Sequence, residues 1–427
     1  MVNNILFFFL VIPFLVISSC TFSSESNDGD DNLQAKHSDA TTIAPKSVQY
    51  SLFIDNSLSM MGYFNSKSKF LPTLNKFTTI LANKAEDNHN NCPVYFFNNS
   101  LTKIDSINQN NLDHALSVLN NLSSNDSNKN RGYSDLHVVI KDMISTLKDN
   151  EVKILVTDGI LSPSDFSLIN TDYFNIIENA LYKTVYSKLD SFLFQTTVIQ
   201  CMSDFTGLYI YMNNKGVKLE NAQRPYYIFI FGNARASNEL VSTIKNSIST
   251  TDFSNIITFN NLNNNTFSSK ILLGNNYKFD GSAHNNSIII NKNAYNIHLN
   301  LLLNLNDLQL SDSQLVNTNN YTFNFKPENI NITPIIDLNN PSNKGFTHKF
   351  SFTINNPYYY DSIIISLPYK KPEWCMNCVI ENDINLNEEQ LEGKTLGYDH
   401  IMNGIYSGYK DRNLMNCYFS KTIKFKK

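Results

Sequence analysis

The stretch Ser51-Leu52-Phe53-Ile54-Asp55-Asn56-Ser57-Leu58-Ser59-Met60 decides how the first half of this 427-residue chain folds. It starts as a short apolar run, typical of a buried strand, and ends in the pattern D-x-S-x-S. One carboxylate (Asp55) and two hydroxyls (Ser57 and Ser59) therefore share a single turn. Open α/β sheets bind ligands at the carboxyl ends of their strands, and oxygen ligands suit a hard cation such as Mg²⁺. The stretch thus predicts a strand that ends in a metal site, although Asp and Ser are also common in ordinary turns.

Two later segments carry residue types that would complete such a site. Gly132-Tyr133-Ser134-Asp135-Leu136 places the Ser134 hydroxyl just before a segment with helical periodicity. Lys153-Ile154-Leu155-Val156-Thr157-Asp158-Gly159 is an apolar run followed by the Asp158 carboxylate. In a parallel sheet, both segments would meet the end of the first strand at the same edge.

These three segments, in this order and at this spacing, resemble the metal-ion-dependent adhesion site of von Willebrand factor A domains. The resemblance implies that the metal ligands are Asp55, Ser57, Ser59, Ser134 and Asp158. It also implies that the ion is Mg²⁺, with Mn²⁺ or Ca²⁺ as alternatives, and that a protein partner offers an Asp or Glu as the last ligand. Ser134 departs from the family pattern, in which Thr is usual. Serine keeps the hydroxyl but loses the stiffness of a β-branched side chain.

Residues 47–250 alternate between strand-like and helix-like segments. Strands are predicted at 48–54, 92–97, 152–156, 196–201 and 226–231, and helical spacing occurs at 74–81, 112–122, 136–147, 173–185 and 240–248. This alternation predicts an α/β domain with a doubly wound, mostly parallel sheet covered by helices on both faces. The von Willebrand factor A resemblance covers this part of the chain and implies the same fold. The segments 123–132 and 160–195 are either determinants of partner specificity or ordinary variable connections.

Residues 251–427 have a different pattern. Short β-rich runs are separated by Asn, Asp, Pro and Gly, at 256–259, 287–290, 297–303, 321–325, 350–354 and 362–367. Several of these runs alternate apolar and polar residues. The pattern predicts a mainly antiparallel β domain, with a sandwich as the favoured arrangement, and no family is indicated for it. A short helix is predicted near 399–406 and a last strand at 421–425.

The chain begins like an exported lipoprotein. Residues 5–17 form an almost unbroken apolar run, which has the length of a signal-peptide core and is too short to span a membrane. Ile17-Ser18-Ser19-Cys20 resembles a bacterial lipoprotein cleavage box, so residues 1–19 are predicted to be a signal peptide and Cys20 to be acylated. No Lys or Arg precedes the run, and an ordinary signal peptide with an incidental Cys is the alternative. We expect a lipid-anchored protein of the bacterial cell envelope, held in the outer membrane, with its side of that membrane left open.

Residues 20–46 are predicted to be a flexible acidic tether. Four acids and no base fall within residues 21–32. This acidic run resembles the export signal of bacterial surface lipoproteins, and a plain solvated linker explains it equally well. The formal net charge of the chain is −4 and no dense Lys/Arg patch occurs, so nucleic acid is not expected as a partner.

Three cysteines in the second half of the chain, Cys375, Cys378 and Cys417, are candidates for a structural disulfide. Exported proteins meet oxidising conditions that favour such bonds, so we expect one disulfide between two of the three. A zinc site that recruits His400 is the alternative, but a second C-x-x-C is missing from the sequence.

Known catalytic motifs do not occur in the chain. A G-x-S-x-G elbow, a glycine-rich phosphate loop and an H-E-x-x-H zinc motif are all missing, so we expect a binding protein rather than an enzyme. Three hypotheses stay open. The first is a lipid-anchored envelope protein that binds a protein partner through a divalent metal. The second is a structural subunit of an envelope assembly with a degenerate metal site, and the third is a metal-dependent hydrolase.

Overall fold

The structure, a computed structural model, describes residues 47–64, 67–98, 100–121, 134–161, 171–213, 215–248, 253–260, 267–308, 310–336, 343–412 and 417–427. The predicted signal peptide, Cys20 and the tether lie outside these ranges, and so does the segment 123–132. Within these ranges, no helix has both the length and the apolar character that crossing a membrane requires.

Seven strands form the largest sheet. In chain order they are β1 Gln49–Asp55, β2 Cys92–Phe97, β3 Leu101–Ile107, β4 Glu151–Thr157, β5 Phe194–Ile210, β6 Gly216–Asn233 and β7 Asn255–Asn260. Across the sheet their order is β3-β2-β1-β4-β6-β5-β7. β1 pairs in parallel with both β2 and β4, and the other neighbouring strands pair antiparallel. The sheet is therefore mixed, and the expected parallel pairing is confined to its centre.

Helices cover both faces of this sheet. They are α1 Phe70–Asp87, α2 Leu112–Asn121, α3 Leu136–Ser145, α4 Thr171–Lys188 and α5 Ala234–Ser247. α1 contacts α2 and α5, and α3 contacts α4. Successive β1 side chains point to opposite faces, since Tyr50 lies near acids of α1 and α5 whereas Phe53 lines a groove beside α3. The mixed α/β class predicted from the alternating pattern is confirmed.

β5 and β6 form a hairpin that is much longer than the two strands predicted there. β5 and β6 stay paired out to Ile210 and Gly216. The neighbouring strand β4 ends opposite Tyr227, well before that point. Residues 226–231 are apolar and buried throughout, as a central strand requires. The outer half of the hairpin, residues 202–225, therefore projects past the carboxyl edge of the central strands, and we call it the hairpin arm.

Two further sheets lie in the second half of the chain. Their strands are β8 Ser269–Ile271, β9 Tyr277–Phe279, β10 Ser287–Ile290, β11 Asn296–Leu303, β12 Thr322–Phe323, β13 Glu328–Pro334, β14 His348–Asn355 and β15 Ser362–Pro368, with β18 Cys417–Lys426 after a separate short pair, β16 Val379–Ile380 and β17 Thr395–Leu396. The sheet orders are β12-β15-β18-β10-β9 and β13-β14-β11-β8. Pairing within these two sheets is antiparallel except between β10 and β18. Phe352 of β14 contacts Phe323 of β12, so the two sheets face each other.

The second half of the chain also returns to the first sheet. Its helices are α6 Asp312–Val316, α7 Glu373–Asn377, α8 Glu388–Leu391 and α9 Tyr398–Arg412. α9 packs against α4, and β7 is the edge strand beside β5. Elements from both sides of residue 250 therefore build the same layers, and the described part of the chain forms one compact unit. The boundary predicted at residue 250 does not separate two units in space, because β7 and α9 cover surfaces of the first layer.

Candidate metal site

The five residues predicted from the sequence lie together at the carboxyl edge of the central parallel strands. Asp55 is the last residue of β1, and Ser57 and Ser59 follow on the next turn. Ser134 comes two residues before α3, and Asp158 directly follows β4. The parallel pairing of β1 with β4 places the ends of these two strands side by side, which brings Asp55 near Asp158.

Hydrogen bonds connect four of these five residues, and Asp158 lies beside them. The Ser57 N–H donates to Asp55 Oδ1 at 2.9 Å, and the Ser134 hydroxyl donates to Asp55 Oδ2 at 3.3 Å. The hydroxyl oxygens of Ser57 and Ser59 lie 3.0 Å apart. The Ser59 hydroxyl also lies close enough to the Asp158 carboxylate to lower its pKa. Three separate loops therefore present their oxygen atoms to one small volume.

Thr157 belongs to the same network, although the sequence pattern did not single it out. Its hydroxyl donates to Asp55 Oδ2 at 2.8 Å and accepts the Gly159 N–H at 3.1 Å. Its side chain is fully buried. The one feature of the sequence that could have indicated this role is that Thr157 is a polar residue at the end of an apolar strand, next to the candidate ligand Asp158. Thr157 thus orients the Asp55 carboxylate from behind.

Two buried carboxylates face each other in this site. Asp55 is 1 % exposed and Asp158 is 2 % exposed. Burial, and then the charge of Asp158, raises the pKa of Asp55 to about 7. Burial also raises the pKa of Asp158, while the nearby Ser59 hydroxyl opposes that rise. The unbalanced negative charge favours binding of a proton or a cation.

Arg224, on the hairpin arm, is a buried cation close to this pair. Its charge lowers the pKa of Asp158, and its guanidinium lies 4.5 Å from the ring centre of Tyr209. The guanidinium donates to the carbonyl oxygens of Leu391 and Lys394 at 3.2 and 3.1 Å. Nothing in the local sequence around Arg224 indicates this role, because the partners come from distant segments. Arg224 thus stabilises Asp158 electrostatically while it is held by the segment before α9.

The hairpin arm also fixes the turn that carries Ser57 and Ser59. A Cβ at Gly62 would lie 2.3 Å from the ring of Phe205, so only glycine permits this approach. The Tyr63 hydroxyl donates to the Pro225 carbonyl oxygen at 2.6 Å. The turn is therefore held against the arm, and the two serine hydroxyls gain a defined position.

The loop after Asp158 is held by residues from the far end of the chain. Gly159 has a φ of +75°, and a Cβ there would lie 2.8 Å from the Tyr227 ring and 3.2 Å from the Tyr398 ring. The Leu161 N–H donates to the Leu396 carbonyl oxygen at 3.1 Å. Residues 395–398 thus help to position the Asp158 loop.

The residues present fit a divalent cation. Asp158 Oδ2 is buried and has no hydrogen-bond partner among the described atoms, so one ligand atom is unsatisfied. The donors are two carboxylates and three hydroxyls, all hard oxygen ligands that suit Mg²⁺. In the described ranges, no three side chains of His, Cys, Asp and Glu gather as a group that could hold a metal. Any ion here would therefore depend on the serine hydroxyls.

The three cysteines expected to form a disulfide are not among the metal-site residues. Cys375 and Cys378 belong to α7 and its end, Cys417 begins β18, and all three are buried. No disulfide joins any two of them in the described residues, so the bond expected from the sequence is not found there. His400, the candidate fourth zinc ligand, instead places its Nδ1 at 3.2 Å from a Glu178 carboxylate oxygen.

No protein-family model and no curated protein matches the chain. The identity of the site therefore rests on the residues and contacts described above.

Proposed function

We propose that the first half of the chain is a domain of the von Willebrand factor A type that binds Mg²⁺, or Mn²⁺ or Ca²⁺, through Asp55, Ser57, Ser59, Ser134 and Asp158. The observation that carries this proposal is the convergence of these residues, which come from three loops separated by up to about a hundred positions. The orphaned oxygen of Asp158 and the raised pKa of Asp55 support it further. The antiparallel β5–β6 hairpin departs from the mostly parallel sheet that the family implies. Beside the site, β1 keeps its parallel pairing with both β2 and β4, although β4 pairs antiparallel with β6 on its other side.

The metal would act as a bridge to a protein partner. Three of the five ligands are neutral hydroxyls, so the ion would keep much of its affinity for negative charge. An Asp or Glu from the partner could then complete its coordination. Ser59 is only partly buried, and it marks the side on which the cluster reaches solvent. When bound, the ion supplies the positive charge that draws in the partner's carboxylate, and this chain's own side chains orient it.

The protein would carry out this adhesion at the bacterial cell envelope. An acylated Cys20 would anchor the chain to the outer membrane, and residues 20–46 would link the anchor to the metal-binding domain. The hypotheses of a structural subunit with a degenerate metal site and of a metal-dependent hydrolase predict different outcomes in the tests that follow.

Calorimetric titration and thermal unfolding with Mg²⁺ test the proposal directly. The wild-type protein should bind Mg²⁺ and melt at a higher temperature in Mg²⁺ than in EDTA. The gain is about 2.7 kcal/mol when the free ion is at 100 times Kd. Asp55→Asn should remove this shift without lowering stability in EDTA, because it relieves the repulsion between two buried carboxylates. Asp142→Asn removes an exposed acid from α3 and serves as the matched control, with the shift retained.

The outcomes separate the three hypotheses. A Mg²⁺ shift that persists in Asp55→Asn would show that these residues are not the site. No binding by the wild-type protein would favour the structural subunit. Hydrolysis of phosphate esters that is lost in EDTA would favour the hydrolase. Affinity capture from membranes in Mg²⁺, compared with capture in EDTA and with Asp55→Asn, should recover the partner only when the wild-type site holds its ion.

A further inference from the structure

A cleft lies where the edge strand β7 meets the sheets of the second half of the chain. It is separate from the candidate metal site. It has a volume of about 610 Å³ and is open to solvent. Its walls come from the start of β7, residues 310–320 around α6, residues 367–377 between β15 and the end of α7, and β18. None of the five metal-site residues lines it.

The cleft has a polar, exposed rim. Ser313, Asn317 and Asn319 lie on the α6 side, and Lys370 and Asn377 lie on the α7 side. Amide side chains donate and accept hydrogen bonds at the same time, and hydroxyl side chains do so as well. This combination matches a ligand that carries many hydroxyl groups of its own.

Two aromatic side chains also line the cleft. Trp374 is partly buried, and its ring lies beside Tyr398 with the centroids 6.4 Å apart. Tyr418 is 4 % exposed, and its hydroxyl has no hydrogen-bond partner among the described atoms. Because that hydroxyl is itself buried, Trp374 is the one of the two rings that a ligand in the cleft could contact more fully.

The lining of the cleft carries two lysines and one acid, so its formal charge is +1. Lys370 and Lys371 are opposed by Glu373, and the Lys371 ammonium already donates to Asn403 Oδ1 at 2.6 Å. A site for phosphate or another polyanion would instead concentrate Arg, Lys or helix N-termini around the ligand. With one net charge and with Lys371 already engaged, the lining falls short of such a site, which favours an uncharged ligand.

We propose that this cleft binds a neutral oligosaccharide. Ligand sites combine aromatic surface with a few polar groups that fix orientation, and a sugar ring offers C–H groups to an indole face and hydroxyls to amides. The cleft volume falls within the roughly 300–1,000 Å³ that is usual for small-ligand sites. The proposal does not depend on the metal site, so the protein would hold a glycan and a protein partner at separate places.

Trp374 makes the proposal directly measurable, because it is the only tryptophan in the chain. Its fluorescence in the full chain can be followed while neutral hexasaccharides of glucose, xylose, mannose and N-acetylglucosamine are added. We expect at least one of them to change the emission in a saturable way. The change should be the same in Mg²⁺ and in EDTA. Calorimetry measures the Kd of the variants, because a variant that lacks Trp374 has no tryptophan fluorescence to follow.

Matched variants locate the binding. Trp374→Ala should weaken the calorimetric affinity by about tenfold or more, since truncation of a central aromatic contact costs that much. Asn319→Ala, at an exposed position where folding is not at risk, should weaken it several-fold. Tyr359→Ala removes an exposed aromatic ring, 85 % accessible, from a different loop, and it should leave the affinity unchanged.

Three results would overturn the proposal. One is the lack of any saturable response to the four hexasaccharides. Another is binding that survives both Trp374→Ala and Asn319→Ala. The third is a response to a random hexapeptide mixture in place of the sugars, which would identify the cleft as a peptide site.

Discussion

At the scale of single residues, the candidate metal site depends on side chains that orient the candidate ligands as well as on those ligands themselves. Asp55 accepts hydrogen bonds from Ser57, Ser134 and Thr157, so its carboxylate is oriented before any ion arrives. The sequence could place the five candidate ligands at one edge of the sheet because each stands in a short pattern with its own strand or helix. Thr157 could not be predicted in this way, because its role appears only when the ends of β1 and β4 lie side by side.

Thr157→Val tests this orienting role. Valine has nearly the same shape, but it leaves Asp55 Oδ2 and the Gly159 N–H each without one partner. We expect the free energy of unfolding to fall by about 1–3 kcal/mol. The affinity for Mg²⁺ should also fall by about tenfold or more, as is usual when a group behind a metal ligand is removed.

Thr157→Ser is the control for that change, since serine keeps the hydroxyl in the same place. Both stability and Mg²⁺ affinity should return most of the way to the wild-type values. Denaturant unfolding and calorimetry measure the two quantities. Equal behaviour of the Val and Ser variants would contradict the orienting role of the hydroxyl.

At the scale of elements, two close approaches depend on glycine. Gly62 lets the serine turn lie against Phe205 of the hairpin arm. On α9, a Cβ at Gly404 would lie 2.6 Å from the Glu178 carbonyl oxygen of α4, and one at Gly408 would lie 2.8 Å from Val185. The sequence predicts a short helix near 399–406, but it does not show that this helix packs on α4.

Gly408→Ala tests how tightly α9 packs on α4. Alanine is favoured over glycine inside a helix by about 1 kcal/mol, so an open site would be stabilised. Here the added methyl group meets Val185, and overpacking costs about 1–3 kcal/mol. We expect a net loss of stability of about 1 kcal/mol, measured by denaturant unfolding.

Ser407→Ala, one position earlier on the same helix, is the control and should change stability by less than about 0.5 kcal/mol. A gain of stability in Gly408→Ala would mean that the two helices can separate without loss.

At the scale of the whole molecule, the second half of the chain completes the first. Thr196 and Thr197 are buried in β5, and their hydroxyls lie 3.1 Å from Tyr409 Oη and 2.9 Å from Thr258 Oγ1. Both partners follow residue 250. The change in sequence pattern near residue 251 is real, but β7 and α9 then cross back to cover β5 and α4.

A fragment of residues 47–250 tests this dependence. It would leave one edge of β5 unpaired, uncover α4 and leave two buried hydroxyls without their partners. We expect it to aggregate or to unfold without a cooperative transition, whereas residues 47–427 unfold cooperatively. Circular dichroism during thermal unfolding distinguishes the two, and a sharp two-state transition in the fragment would count against this dependence.

The sequence by itself determined the local features of this protein. The apolar run before Asp55, the serines of the next turn and the carboxylate of Asp158 were readable because strand, turn and helix preferences depend on neighbouring residues. Only the tertiary structure decided the place of β6 between β4 and β5, the contact of Arg224 with the segment before α9, and the part played by Thr157. Each of these depends on contacts between residues far apart in the chain, whose free energy comes from burial and pairing that no local pattern records.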